Sequence, residues 1–405
     1  MASNHEIPGL KDLGQAAPRP APTGFKKDKV DDAVRDLITT YHSLNPTTID
    51  ELSEEPSALE FMRYVSRNRP FVVRKGAEAW KARQKWNANY LSNVMGSESV
   101  NVAITPYGNA DSVISPTTQD SDTSQMIFVK PYETSLPFSA VLKQIQEQEL
   151  AASDHPSFSG SSSQPSSAWP TRYLQTQNDN LRNEYNTIFS DVPPSIPFAR
   201  IALAQDPDAI NFWLGNSYST TALHKDNYEN VYVQILGKKH FVLLPPIEAP
   251  CVGEKSVLAA TYRVHRNSDD GTAAIAADDV ERSADLIATV DDPVEYVPFA
   301  TWDPDYPERN ATPYSRYSQP LRVTLDEGDM LYLPALWYHK VSQSCSEEGV
   351  CCAVNYWYDL DFSGGFWSMA SFVRGVGLLS LNRLGGENVN GLVEKNEVEE
   401  QEGEE

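Results

Sequence analysis

Cysteine is scarce in this 405-residue chain. Its four copies, Cys251, Cys345, Cys351 and Cys352, form no CxxC pair. That excludes a zinc ribbon and suits reduced, buried thiols. Basic residues are also few: 33 Lys and Arg stand against 56 Asp and Glu, a formal charge of −23. A long nucleic-acid surface needs clustered Lys and Arg, so no direct nucleic-acid contact is expected, and the acidic balance suits a cationic partner. No run approaches the roughly 20 apolar residues of a membrane span. The N-terminus, MASNHEIPGLKDLGQ, lacks the basic start and apolar centre of a signal peptide. A cytoplasmic or nuclear protein, neither secreted nor membrane-bound, is the expectation. A phosphate-binding Gly loop, a dinucleotide fingerprint and a Gly-x-Ser-x-Gly elbow are all missing, which disfavours nucleotide enzymes and ordinary α/β-hydrolases.

What is present is a hydrophobic fraction of 40% and an aromatic fraction of 10%, enough for a sizeable core. Composition divides the chain into a flexible lead-in (1–30), helices and strands packed on a core (31–150), a Ser/Pro-rich insertion (151–170), a strand-rich core (171–360), a C-terminal helical segment (361–386) and an acidic, disordered tail (387–405). The core carries an Asp/Ala-rich insertion near 265–292. Val34, Leu37, Ile38 and Tyr41 recur at helical spacing. Pro56 opens a second helix with Leu59, Met62 and Val65 inward, and Pro137 a third with Phe138, Val141, Leu142 and Ile145. Phe366, Met369, Val373 and Val376 mark a last helix, which Gly375 and Gly377 weaken. Strands are expected at 70–73, 230–236, 239–244, 330–333, 338–341 and 353–358. Val231, Val233 and Ile235 share one face. Many short strands with turn residues between them predict a mainly β sandwich or barrel with flanking helices.

The chemistry lies in NFWLGNSYSTTALHKDNYENVYVQILGKKHFVLLPP, residues 211–246. In a strand, His224 and Asp226 present an imidazole and a carboxylate to one point. A second imidazole, His339, lies in MLYLPALWYHKVSQS. Two His and one carboxylate form the facial triad of non-haem Fe(II) oxygenases. Taken alone, His-x-Asp is a weak motif. Lys239 strengthens it: it is in phase with Phe241 and Leu243, points inward, and needs an anion there. A dicarboxylate cosubstrate supplies one, and the hydroxyl of Thr221 can donate to the same carboxylate. Lys225 and His240 fall out of phase and are expected to face away.

These segments, with NVAITPYGNADSV, YLQTQNDNL, YSRYSQPLRVTLDEGDMLYLPALWYHKVSQS and AVNYWYDL, resemble the JmjC family of Fe(II)- and 2-oxoglutarate-dependent oxygenases. Within it the chain is most similar to the small (3S)-lysyl hydroxylase subgroup. The resemblance implies a double-stranded β-helix, the cupin-like jelly-roll, with His224, Asp226 and His339 as iron ligands. It implies 2-oxoglutarate contacts by Tyr173, Thr221, Lys239 and Asn355, and dioxygen as the oxidant. On residue type alone, Tyr173 also fits a core tyrosine and Asn355 a hydrogen-bonded strand residue. The implied reaction is lysyl C3-hydroxylation of a protein, such as a developmentally regulated GTP-binding protein, by a homodimeric enzyme. N-methyl-lysine demethylation and a catalytically silent binding scaffold are the alternatives. Asp111 is an acidic candidate for contact with a substrate ammonium, although a solvated turn residue is the simpler reading.

Overall fold

The computed structural model describes residues 27–115, 126–153, 169–264 and 286–385. The N-terminal part runs α1 (Lys27–Leu44), β1 (Asp50–Leu52), α2 (Ala58–Arg67), β2 (Phe71–Val73), α3 (Lys81–Lys85), α4 (Ala88–Met95), β3 (Ser99–Thr105), β4 (Ser112–Ile114), β5 (Ile127–Lys130), β6 (Tyr132–Pro137) and α5 (Phe138–Ser153). Then come β7 (Thr171–Tyr173), α6 (Asn180–Asn183), α7 (Asn186–Phe189) and α8 (Pro197–Leu203). The strand-rich part is β8 (Ala209–Gly215), β9 (Thr221–His224), β10 (Tyr228–Leu236), β11 (Lys238–Leu244), β12 (Glu254–Val264), β13 (Leu286–Val290), β14 (Tyr296–Ala300), β15 (Leu321–Leu325), β16 (Met330–Leu333), β17 (Tyr338–Ser344) and β18 (Cys351–Asp359), closed by α9 (Gly365–Gly385).

Eight of these strands form two antiparallel faces, ordered β16-β10-β18-β8 and β15-β11-β17-β9. The strands alternate between the faces along β8–β11 and again along β15–β18, with β11 and β15 adjacent in one face, which is the jelly-roll expected from the sequence. β1 and β2 extend the first face; β3, β6 and β7 form one flanking sheet, and β4, β5, β12, β13 and β14 another.

Strand alternation assigns the two sides of β10. Val231, Val233 and Ile235 turn outward into the large cluster shared with the N-terminal helices, while Tyr232 turns into the space between the faces. That inner cluster holds Trp213, Phe241, Leu243, Leu331, Leu333 and Val341. Gly237, at φ +69°, makes the β10–β11 turn, where an added Cβ would lie 2.5 Å from the Ser344 carbonyl oxygen.

Three sequence expectations change. In α2 Val65 packs against the core as expected, but the buried residue is Phe61, while Leu59 and Met62 are 67% and 41% exposed. Two stripes fit the helical period, and the one that buries an aromatic ring against Phe71, Phe198 and Tyr332 wins. Residues 286–290, expected within an insertion, form β13 against β12. α9 forms through Gly375 and Gly377, and Gly377 lets it approach Pro250, whose Cγ would stand 2.5 Å from an added Cβ. The lead-in up to residue 26, residues 154–168, residues 265–285 and the acidic tail from 386 lie outside the described residues. Among the described residues no helix is long and apolar enough to cross a membrane.

Candidate metal centre

His224 closes β9 and pairs directly with His339 on β17, so the two imidazoles leave the same side of one sheet. Their ring centroids are 4.1 Å apart. Each ring is oriented by its own backbone: His224 Nδ1 lies 2.8 Å from the Ala222 carbonyl oxygen and His339 Nδ1 3.1 Å from that of Trp337. Carbonyls only accept, so both Nδ1 atoms carry the proton and both Nε2 lone pairs face the shared space. Burial, and then His224, push the His339 imidazole down to about 4, which keeps it a neutral ligand.

Asp226 completes the set. It lies just past β9 rather than within the strand, and its carbonyl accepts a 2.9 Å hydrogen bond from Leu336 N. Leu336 sits at φ +67°, an outlier for a bulky residue, immediately before the segment carrying His339. Asp226 Oδ2 is 3.7 Å from His224 Nε2 and 3.6 Å from His339 Nε2. The three candidate ligand atoms lie within 4.8 Å of one another. Two imidazole nitrogens and one carboxylate oxygen brought this close together fit a non-haem Fe(II) site.

Beside it lies a buried cation. Lys239 is 2% exposed, and its Nζ donates to Tyr173 Oη at 2.9 Å and Gln343 Oε1 at 2.8 Å. Among the described residues no carboxylate pairs with it. Burial works against the ammonium, but the Tyr173 and Tyr232 oxygens, the Cys351 thiol and the Tyr173 hydrogen bond outweigh it, and the net direction is upward. Burial also keeps both phenols protonated. A charged amine among neutral partners is a receptor for an anion.

The sequence reasoning missed Gln343, Tyr232 and Gly215. Gln343 repeats the period-2 phase of His339 and Val341, and its Nε2 donates to the Asn216 carbonyl at 2.6 Å, fixing the amide for Lys239. Tyr232 is in phase opposite to Val231. Gly215 leaves room for the anchor: an added Cβ would lie 2.6 Å from Tyr173 Cδ2 and 2.9 Å from Gln343 Nε2. Thr221 stands half-buried on β9, paired with Val341, and is not among Lys239's partners. Asn355 accepts from Trp213 Nε1 at 2.8 Å and donates to Asn230 Oδ1 at 3.2 Å, so it braces the wall of the site. Lys225 and His240 do turn away, the first over the Tyr338 ring and the second toward Thr324 and Ser344.

The cupin-like domain family matches residues 56–364. A human bifunctional peptidase and (3S)-lysyl hydroxylase, JMJD7, is 35% identical over 318 residues, covering 78% of this chain and 86% of the relative. Arabidopsis thaliana lysine-specific demethylase JMJ32 is 34% identical over 325 residues, covering 78% and 83%. Dictyostelium discoideum JmjC domain-containing protein E is 33% identical over 322 residues, covering 77% and 84%.

Proposed function

The chain belongs to the JmjC family of cupin-like oxygenases, whose members use Fe(II) and 2-oxoglutarate, and on that premise we propose that it hydroxylates C3 of a lysine side chain in a protein. The observation that carries this reading is the pairing of a His224–Asp226–His339 set with the buried, carboxylate-free Lys239 in one jelly-roll. The likeness to a relative named as a (3S)-lysyl hydroxylase supplies the substrate class.

When bound, iron and 2-oxoglutarate supply decarboxylation coupled to oxygenation of a C–H bond by dioxygen. The chain's own residues do the rest. His224, Asp226 and His339 would hold the metal. Lys239 binds the distal carboxylate of the keto acid, with Tyr173 and Thr221 as hydroxyl donors. Gln343 orients Lys239. This fixed anchor is an orientation effect. Trp213, held by Asn355, and Tyr232 and Phe241 exclude water from the inner end. The substrate is a cytoplasmic or nuclear protein, of which a developmentally regulated GTP-binding protein is the type the subgroup suggests. Exposed Met369, Phe372 and Leu379 on α9 suit a homodimer contact.

N-methyl-lysine demethylation is the second reading, favoured by the 34% identity to a relative named as a lysine-specific demethylase. Mass spectrometry of lysine and methyl-lysine peptides, incubated with protein, Fe(II), 2-oxoglutarate and oxygen, separates the two. Gain of one oxygen on unmodified lysine supports hydroxylation. Loss of a methylene from methyl-lysine replaces it with demethylation.

A further inference from the structure

The turn between β3 and β4, residues 106–111, is laid against the chain just before β9. Gly108 O accepts from Thr220 N at 2.9 Å, and a Cβ on Gly108 would meet the Tyr218 carbonyl oxygen at 2.0 Å. Only glycine permits that approach. The turn ends in Asp111, half-buried and within electrostatic reach of His224. Gln175 Nε2 donates to Asp111 Oδ2 at 3.1 Å. Gln175 lies two residues beyond Tyr173, and the bridge formed by the intervening Leu174 with Leu214 keeps the backbone extended. Tyr173 and Gln175 therefore leave the same side of the chain, one toward Lys239 and the other toward Asp111.

Asp111 has no cationic partner among the described residues. Lys130, the lysine closest in electrostatic terms, is committed to Asp291 at 3.1 Å and Glu295 at 3.0 Å. Burial raises the Asp111 carboxyl, and the Gln175 hydrogen bond only partly offsets it. The backbone does not demand a charge either: φ is +51°, a region that Asn and Gly enter readily. A half-buried carboxylate without a counter-ion, fixed by an amide beside a metal site, is built for an incoming cation.

We propose that Asp111, oriented by Gln175, is the subsite that takes the cationic head group of the substrate side chain and aligns that side chain with the metal. The choice of lysine over arginine rests on the hydroxylase reading above. The anionic subsite itself does not.

The test uses the full chain loaded with Mn(II) and 2-oxoglutarate, so that no turnover is needed. The probes are acetylated, amidated Gly-Gly-X-Gly-Gly peptides with X as lysine, norleucine or arginine, and the readout is paramagnetic broadening of the X side-chain protons. Lysine should broaden at least about ten-fold more than norleucine, the size expected for one charge-assisted contact. Asp111→Asn, which suits the same backbone conformation, should bring lysine down to the norleucine level. If arginine broadens in place of lysine and Asp111→Asn removes it, the subsite stands and the lysine reading falls. Equal broadening of lysine and arginine against norleucine in wild type and Asp111→Asn overturns the proposal. So does a wild type that broadens neither cation above norleucine. The 2-oxoglutarate affinity reports folding. Should Asp111→Asn lose it, Gln175→Leu takes its place, with a several-fold loss of cation broadening expected and no change overturning the proposal.

Discussion

His224 and His339 are direct cross-strand partners, with ring centroids 4.1 Å apart and each Nδ1 tied to the carbonyl two residues earlier in its own chain. The backbone of two strands thus fixes both tautomers before any metal arrives. His224→Ala should weaken Mn(II) binding on the order of 100-fold or more, since a ligand matters at least as much as the outer contacts that orient one. Isothermal titration checks this, and wild-type affinity in the variant would remove the assignment.

The burial of His339 predicts a pH signature in the metal-free protein. Its folded value of about 4 lies below the ordinary 6.5. The unfolded chain therefore binds the proton first as pH falls, and stability is lost from about pH 6.5 downward. At about 1.4 kcal/mol per pH unit, this group removes about 2 kcal/mol between pH 6.5 and 5. Denaturant unfolding in chelator should show that slope, and His339→Gln should flatten it.

Lys239→Met separates function from stability. A buried ammonium replaced by an apolar chain of similar length should leave folding unchanged or improved by about 1 kcal/mol. The same change should reduce 2-oxoglutarate affinity on the order of 100-fold while Mn(II) still binds. An intact cosubstrate affinity would show that the anchor lies elsewhere.

Gly215→Ala should act on the same anchor without removing any of its polar groups. Its Cβ would meet Tyr173 and Gln343 at 2.6 and 2.9 Å. Displacing either loosens Lys239, so 2-oxoglutarate affinity should fall about ten-fold with metal affinity retained. Titration of the cosubstrate against the Mn(II)-loaded variant measures it.

The inward face of α2 is tested by two substitutions. Phe61→Ala should destabilise the protein by about 3–5 kcal/mol, and Leu59→Ala by no more than about 0.5 kcal/mol. Equal effects would contradict the packing against Phe71, Phe198 and Tyr332.

Where strand alternation decides which side a residue takes, the sequence was readable: Val231, Val233 and Ile235 share one face, and Lys239 turns inward with Phe241 and Leu243, although which face the three residues take came only with the packing. The His224–Asp226 pair was visible by spacing, although Asp226 reaches its place from a turn pinned by Leu336 and not by strand geometry. Gln343 was hidden because an uncharged amide on a strand carries no chemical signal until Lys239 stands beside it. The α2 face was misread because two apolar stripes fit one period, and only the partners from β2, α8 and β16 choose between them. Gly377 and Gly215 matter through what approaches them, which no local pattern records.

The most direct measurement is oxygen-isotope incorporation. The full chain with Fe(II) and 2-oxoglutarate would be supplied with a lysine-containing substrate protein under oxygen-18 gas, with His224→Ala as the control. The account predicts one heavy oxygen atom in succinate and one retained on a lysine side chain, both lost in the control. Unlabelled lysine beside labelled succinate would contradict lysyl hydroxylation, and unlabelled succinate would contradict the oxygenase reading of this site.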